Sequence, residues 1–217
     1  MPSPIPALSR NLPHAPPPAR RHPLPGGIGP GLAYGRAHEF CGPARVALAV
    51  LTLALSEGPV IWALPAWLPE RPYACGLRDH LHPGRLILVP CRRPEDIQWT
   101  AEEALRSGAA PVVLAEYPTP PGLTAVRRLH LAAESPGATG HALPLGLILT
   151  AGEGGAAGVE SRWHARPLPA PSGLCDDQGI ALRLARLRSR DAPPAAWALH
   201  LAPSRTPEAK PLPPDTG

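Results

Sequence analysis

The stretch from His38 to Leu55 reads as a strand, a Gly-Pro turn and a helix, the place where an α/β protein carries a phosphate-binding loop. Phosphate chemistry there follows the pattern G-x-x-x-x-G-K-[S/T], in which the lysine holds the β- and γ-phosphates and the hydroxyl holds magnesium. Counted from Gly42 and Pro43, this chain has Ala47 at the second glycine, Leu48 at the lysine and Ala49 at the hydroxyl. The sole lysine, Lys210, lies in a proline-rich C-terminal stretch and cannot serve. Arg45 is left as a substitute phosphate contact, on a helix that otherwise reads as aliphatic and core-packing. The sequence therefore predicts no ATP hydrolysis and no cofactor.

Glu116 closes the apolar run Val112-Val113-Leu114-Ala115 at a strand's C-terminal edge, where open α/β sheets place their ligand sites. With a lysine present it would stand beside magnesium and a nucleotide; without one, a solvated strand-end carboxylate is the favoured reading. Cys75, Asp79, His80, His82 and Cys91 are metal-competent by type, but their spacing matches no zinc module, so no metal is expected. The arginines at Arg92-Arg93, Arg127-Arg128 and Arg183, Arg186, Arg188 and Arg190 could neutralise nucleic-acid phosphates or contact a protein partner. They lack the interleaved aromatics of a single-strand binder, so DNA contact is expected to be weak or indirect.

The elements that must position these residues alternate strand and helix. Pro94 suits a first helical position, Glu95 and Asp96 complement the helix dipole, and Ile97, Ala101, Ala104 and Leu105 recur at helical spacing. Gly108 is placed for a left-handed cap, and Val112-Val113-Leu114-Ala115, apolar on both faces, suits a central strand of a helix-covered parallel sheet. Strands are also expected at Arg36–Phe40, Val60–Leu64, Arg85–Val89, Leu145–Thr150 and around Arg162–Arg166, and helices at Ala44–Leu55 and Leu123–Glu134. A piece from Leu68 to His80 reads as helix broken at Pro72. Ile180–Arg190 and Ala196–Leu201 read as a hairpin closing one edge of the sheet, although Ile180, Leu184 and Leu187 also fit a helix. Together they predict a mostly parallel sheet flanked by helices.

Length and composition set the frame. The 217 residues suit one domain with tails, and the 34 prolines crowd the two ends. The domain is expected over 31–202, between disordered proline-rich tails at 1–30 and 203–217. The net charge of +4 is mild, and GC-rich coding accounts for arginine displacing lysine. Four cysteines without a Cys-x-x-Cys pair, no export signal and no apolar run long enough to span a bilayer predict a cytoplasmic protein with reduced thiols.

The run from Arg93-Pro94-Glu95-Asp96 through Ala104-Leu105-Arg106-Ser107-Gly108-Ala109 to Glu116 resembles the helix and acid-terminated Walker B strand of the RecA recombinase core. His38-Glu39-Phe40-Cys41-Gly42-Pro43 resembles the strand leading into its phosphate loop. Across about 31–202 the chain resembles the ImuA family of RecA-like mutasome accessory proteins, most closely at 101–109, Arg127-Arg128-Leu129-His130-Leu131-Ala132-Ala133-Glu134 and Glu160-Ser161-Arg162-Trp163. The resemblance implies a RecA-like α/β fold with a C-terminal antiparallel hairpin. Six residues separate Glu116 from Leu123 and nine separate Thr150 from Glu160, where RecA holds longer DNA-contacting loops. A polymerising N-terminal helix is also missing. The implied role is an adaptor in SOS-induced error-prone translesion synthesis, contacting an ImuB-like Y-family protein, an error-prone DNA polymerase or RecA. Two alternatives stay open: a degenerate P-loop ATPase, and a SulA-like cell-division inhibitor.

Overall fold

The computed structural model describes residues 20–169, 180–201 and 207–213. Eleven strands and four α-helices follow one another as β1 (Arg21–His22), β2 (Leu32–Ala33), β3 (Ala37–Cys41), α1 (Arg45–Leu53), β4 (Val60–Pro65), α2 (Ala74–Leu77), β5 (Leu86–Cys91), α3 (Pro94–Ser107), β6 (Val112–Glu116), α4 (Leu123–Glu134), β7 (Leu145–Leu149), β8 (Ser161–Pro167), β9 (Ile180–Ser189), β10 (Ala195–Leu201) and β11 (Glu208–Leu212). Nine of the strands form one sheet in the order β11-β10-β9-β8-β3-β7-β6-β4-β5. β8, β3, β7, β6, β4 and β5 are mutually parallel, and β9, β10 and β11 continue the sheet antiparallel. This is the expected α/β class: a mostly parallel sheet flanked by helices, with antiparallel C-terminal strands.

Side chains alternate across the sheet and so build two cores. Trp62, Leu64, Leu114, Leu147 and Phe40 pack on one face with Leu48, Leu51 and Leu53 of α1. Ala63, Val113, Ala115 and Ile148 pack on the other with Ile97, Ala101 and Leu105 of α3 and with Val126 and Leu129 of α4. α3 starts and stops as its residues dictate. Pro94 opens it, Arg93 and Asp96 pair at 2.7 Å across its first turn, and Gly108 ends it at φ 63° with its N–H on the Leu105 carbonyl.

Three expectations need correction. The N-terminal proline-rich tail ends earlier than residue 30. β1 pairs with β2, and Leu24 and Ile28 are buried in the core, because apolar residues are threaded among the prolines and glycines there. The C-terminal proline-rich stretch supplies β11, antiparallel to β10, so the β9–β10 hairpin lies inside the sheet and does not close it. Gly26 of the N-terminal segment abuts that strand so closely that a Cβ there would lie 2.8 Å from the Ala209 Cβ. Finally, the helix expected from Leu68 to His80 is confined to α2, because Pro72 and the extended Tyr73 exclude helix before Ala74. Ile180–Ser189 is strand throughout, and Leu182 and Leu184 take alternate inward positions. Among the described residues no helix is long and apolar enough to cross a membrane.

Candidate functional site at the C-terminal edge of the sheet

Three residues, Gly42, Pro43 and Ala44, join β3 to α1. Gly42 has φ 91°, and a Cβ there would come within 2.4 Å of the Ala165 carbonyl oxygen, so only glycine fits. Two amides at the turn are committed to the protein. Ala44 N–H donates to the Ala165 carbonyl at 3.0 Å, Arg45 N–H donates to the Gly42 carbonyl at 3.3 Å, and Pro43 has none to give. A phosphate cradle requires such amides to point at the ligand. Here α1 begins at once, and it carries Leu48 and Ala49, the lysine and hydroxyl positions, fully buried in the aliphatic core. Ala47 lines an apolar cleft of about 350 Å³ with Val46, Val50, Tyr73 and Leu77.

Glu116 is where the sequence placed it, at the tip of β6, but it is not a solvated strand-end acid. Its Oε1 accepts from Arg45 Nη2 at 3.0 Å, and both side chains are largely shielded. The two residues that could have substituted for a nucleotide site are thus bound to each other. Arg45 Nη1 also reaches the Gly42 carbonyl at 3.5 Å, and its buried Nε has no partner among the described residues.

One acid escaped the sequence reading. Glu39, in the middle of β3, is fully buried, and its carboxylate accepts from Thr150 Oγ1 at 2.7 Å, Gly155 N–H at 2.9 Å, Ala156 N–H at 3.1 Å and Arg162 Nε at 2.5 Å. Arg162 Nη2 in turn donates to the Ala156 carbonyl at 2.8 Å. The Gly-rich loop from Gly152 to Gly155 is therefore stapled over the end of β3 by a charge that must be paired to be buried at all. An acid inside the apolar strand Ala37–Cys41 was the available signal. Its neighbour Cys41 is buried, and burial followed by the Glu39 charge pushes its thiol up to about 12. That is an inert thiol. Another pairing missed from sequence, His38 Nδ1 to Ser161 Oγ at 2.7 Å, is sealed in the core. Ser161 Oγ there also accepts from Trp163 Nε1 at 2.8 Å, so it is a packing contact and not an activated nucleophile.

The arginines separate into two groups. Arg186 is buried with its guanidinium against the paired rings of Trp163, at 5.5 Å, and Trp197, at 5.2 Å, whose centroids lie 5.8 Å apart, while its Nε donates to the Pro193 carbonyl at 2.9 Å. Burial lowers its pKa. Arg183 is buried too, so neither residue can meet a phosphate or a partner, and those two expectations are corrected. β9 is covered on both faces from Leu182 to Arg186, so Arg183 and Arg186 are buried although they lie on opposite faces, and past the β-bulge in the β8–β9 pairing Arg188 and Arg190 are exposed. Arg127 and Arg128 are exposed on α4, Arg128 pairing with the buried Glu102 carboxylate at 2.8 Å. Arg190 stands 3.7 Å from Glu160.

The cysteine–histidine constellation does not converge: among the described residues no three such groups gather as metal ligands. His82 Nδ1 accepts from the Gly84 N–H at 3.2 Å, Cys91 is buried beside Thr100, and Cys75 is exposed.

No protein-family model and no curated protein matches the sequence. Among solved structures, that of SulA from Pseudomonas aeruginosa overlaps 53% of this chain and 98% of its own, at 19% identity and a TM-score of 0.41.

Proposed function

We propose that this chain is a non-catalytic, RecA-like accessory protein of the ImuA kind, working in the cytoplasm through protein contacts in damage-induced, error-prone translesion synthesis. The supporting observation is the closed turn at Gly42–Arg45. Its Ala44 and Arg45 amides are satisfied by carbonyls, its helix is buried where lysine and hydroxyl would stand, and Arg45 holds Glu116, the strand-end acid that could have organised magnesium. A fold that keeps its sheet while giving up its phosphate cradle retains surfaces as its working parts. The family-like phrases at 101–109, 127–134 and 160–163 supply the choice of pathway. Arg127, Arg128, Arg188 and Arg190 remain as the exposed basic contacts available to a partner or to DNA.

The partners this reading names are an ImuB-like Y-family protein, an error-prone polymerase and RecA. Purification of the tagged chain from damaged cells is expected to recover at least one of them, and recovery of none overturns the proposal. Calorimetry with millimolar Mg-ATP addresses the ATPase alternative. The expected result is no binding heat, and saturable heat would favour the enzyme.

A further inference from the structure

α1 is apolar all round, yet it is not covered all round. From Val46 to Leu53 it carries no charge, and its one hydroxyl, on Thr52, is turned onto the Leu48 carbonyl at 2.7 Å. A helix of that composition belongs inside a protein. Leu48, Ala49 and Leu53 are fully buried, but Val46 and Ala47 are only half-buried. The fold lays the single turn of α2 beside them. That turn leaves the cleft of about 350 Å³ between Val46, Ala47, Val50 and Leu51 on one side and Tyr73 and Leu77 on the other.

The charges at the cleft are of one sign. Arg71 and His80 line it and no carboxylate does. Glu70 and Asp79, close in sequence, neither line the cleft nor pair with Arg71. The Arg71 guanidinium donates only to neutral acceptors. Nη1 reaches the Leu68 carbonyl and, at 2.8 Å, the Glu70 carbonyl, and Nη2 reaches the Ala66 carbonyl at 3.1 Å. Those bonds fix the cation in place without neutralising it. Tyr73, which is 73% exposed, lines the same cleft, and tyrosine and arginine are among the residue types that anchor protein interfaces.

The backbone around the cleft decides the form of the occupant. On the α1 side, Leu48 N–H donates to the Ala44 carbonyl and Ala54 N–H to the Val50 carbonyl, each at 3.0 Å. On the α2 side, Leu77 N–H donates to the Tyr73 carbonyl at 3.2 Å, and the His80 and Leu81 N–H groups donate to the Leu77 carbonyl at 2.9 and 2.7 Å. An extended segment would find no ladder to join and would bury its own amides unpaired. A helix brings its backbone bonds with it. We infer that the cleft receives an amphipathic helix of a partner protein, its aliphatic ridge entering between α1 and α2 and the Asp or Glu along its flank meeting Arg71. A second copy of this chain fits less well. In a two-fold contact the same patch faces itself, and this patch would bring more arginine and histidine but no acid. The inference rests on the adaptor reading for the existence of a protein partner and gives that adaptor a docking surface.

The test is a fluorescence titration of the full chain with the labelled peptide Ala-Glu-Leu-Glu-Ala-Leu-Leu-Glu-Glu-Leu-Glu, against the same peptide with lysine for every glutamate. Saturable binding is expected for the acidic peptide, with on the order of tenfold weaker binding for the lysine form, since attraction at Arg71 becomes repulsion. Arg71→Glu, at an exposed residue, should reverse the order of the two peptides, whereas mere disturbance of the loop would weaken both alike. Ala47→Glu sets a carboxylate in the cleft and should weaken the acidic peptide at least about tenfold. Tyr73→Ala, at an exposed position that leaves folding unaffected, should weaken it by about tenfold. No binding by the acidic peptide, equal binding by both, or an unreversed order in Arg71→Glu overturns the inference. So does self-association of the wild type that Ala47→Glu removes, because the occupant is then a second copy. Recovery of the same cellular partner by wild type and Ala47→Glu alike would leave the adaptor standing and remove this cleft as its surface. Recovery of no partner removes the adaptor reading, while the titration still reports on the cleft.

Discussion

Arg45, the first residue of α1, and Glu116, the last residue of β6, face each other at 3.0 Å over the C-terminal edge of the sheet. The helix that follows β3 and the strand two places along are thereby tied together where a nucleotide would otherwise separate them. The pair is largely shielded from water, and the Gly42 carbonyl is the other acceptor the guanidinium reaches. Glu116→Gln leaves the cation without its counter-charge and is expected to cost about 1.5–3 kcal/mol in urea unfolding, the range for a hydrogen bond to a charged group. A change below about 0.3 kcal/mol would show that the pair contributes nothing to stability.

Leu48→Lys distinguishes a closed phosphate site from a merely vacant one. Leu48 is fully buried among aliphatic side chains of α1 and the sheet. A lysine there sits in the core and not over the turn, so the substitution should destabilise by about 3–5 kcal/mol, as an unpaired buried charge does. Its urea midpoint should also be unmoved by Mg-ATP. A lysine variant of undiminished stability that gains ATP binding would mean the cradle persists.

Glu39→Gln tests the clamp on the Gly-rich loop. The amide keeps the shape of the carboxylate but leaves Arg162 without its counter-charge and gives Gly155 and Ala156 N–H a weaker acceptor. A loss of about 3–5 kcal/mol is expected in urea unfolding. Hydrogen exchange should accelerate first at the Gly155 and Ala156 amides. Unchanged protection at those two amides would separate the loop's order from the Glu39 charge.

Much of this was legible in the sequence where local chemistry and burial agree. Pro94, Glu95, Asp96 and Gly108 bound α3 where they should, and the continuous apolar run Val112–Ala115 lies in the middle of the sheet. What stayed hidden depended on long-range pairing. Nothing near Glu39 in sequence announces Thr150 or Arg162, and nothing near Arg45 announces Glu116. The segment over 20–30 reads as tail because proline and glycine dominate it, yet Leu24 and Ile28 find core positions that only the folded sheet offers. The regular spacing of Arg183, Arg186 and Arg190 suggests a solvated helix face, whereas the strand β9 is covered on both faces at the first two.

Arg186 should behave as a core residue. Its guanidinium lies against two adjoining tryptophan rings, so Arg186→Ala loses two cation–π contacts, the hydrogen bond to Pro193 and buried stem area together. A cost of about 2–4 kcal/mol is expected, against changes within about 0.5 kcal/mol for Arg127→Ala and Arg188→Ala on the surface. If a partner or DNA is contacted through basic residues, the surface substitutions should weaken that binding without lowering stability. Equal thermal stability of Arg186→Ala and Arg188→Ala would contradict this core role.

Acid should unfold this protein earlier than its carboxylates alone would require. His38 is enclosed in the core with Nδ1 on Ser161 Oγ and Nε2 3.1 Å from the Ala33 carbonyl, and burial pulls its pKa from 6.5 to about 3. Burial also lowers His22, held by Tyr34 and the Thr52 carbonyl, and lowers His130, where the Arg36 charge adds to the effect. For each, the folded pKa lies below the unfolded value, so the unfolded chain takes up protons that the folded chain refuses. Stability from this source is complete above pH 6.5 and declines as pH falls from 6.5 towards 3, the direction set by the lowered values. Each histidine contributes a slope of about 1.4 kcal/mol per pH unit while its two states differ by a full proton. Urea unfolding at about pH 7, 6 and 5 should show the decline beginning near pH 6.5, and His38→Gln should flatten it by about one histidine's share. Stability that holds level or rises between about pH 7 and pH 5 would mean that these imidazoles accept protons inside the fold, and the neutral hydrogen-bonded core around His38 would have to be redrawn.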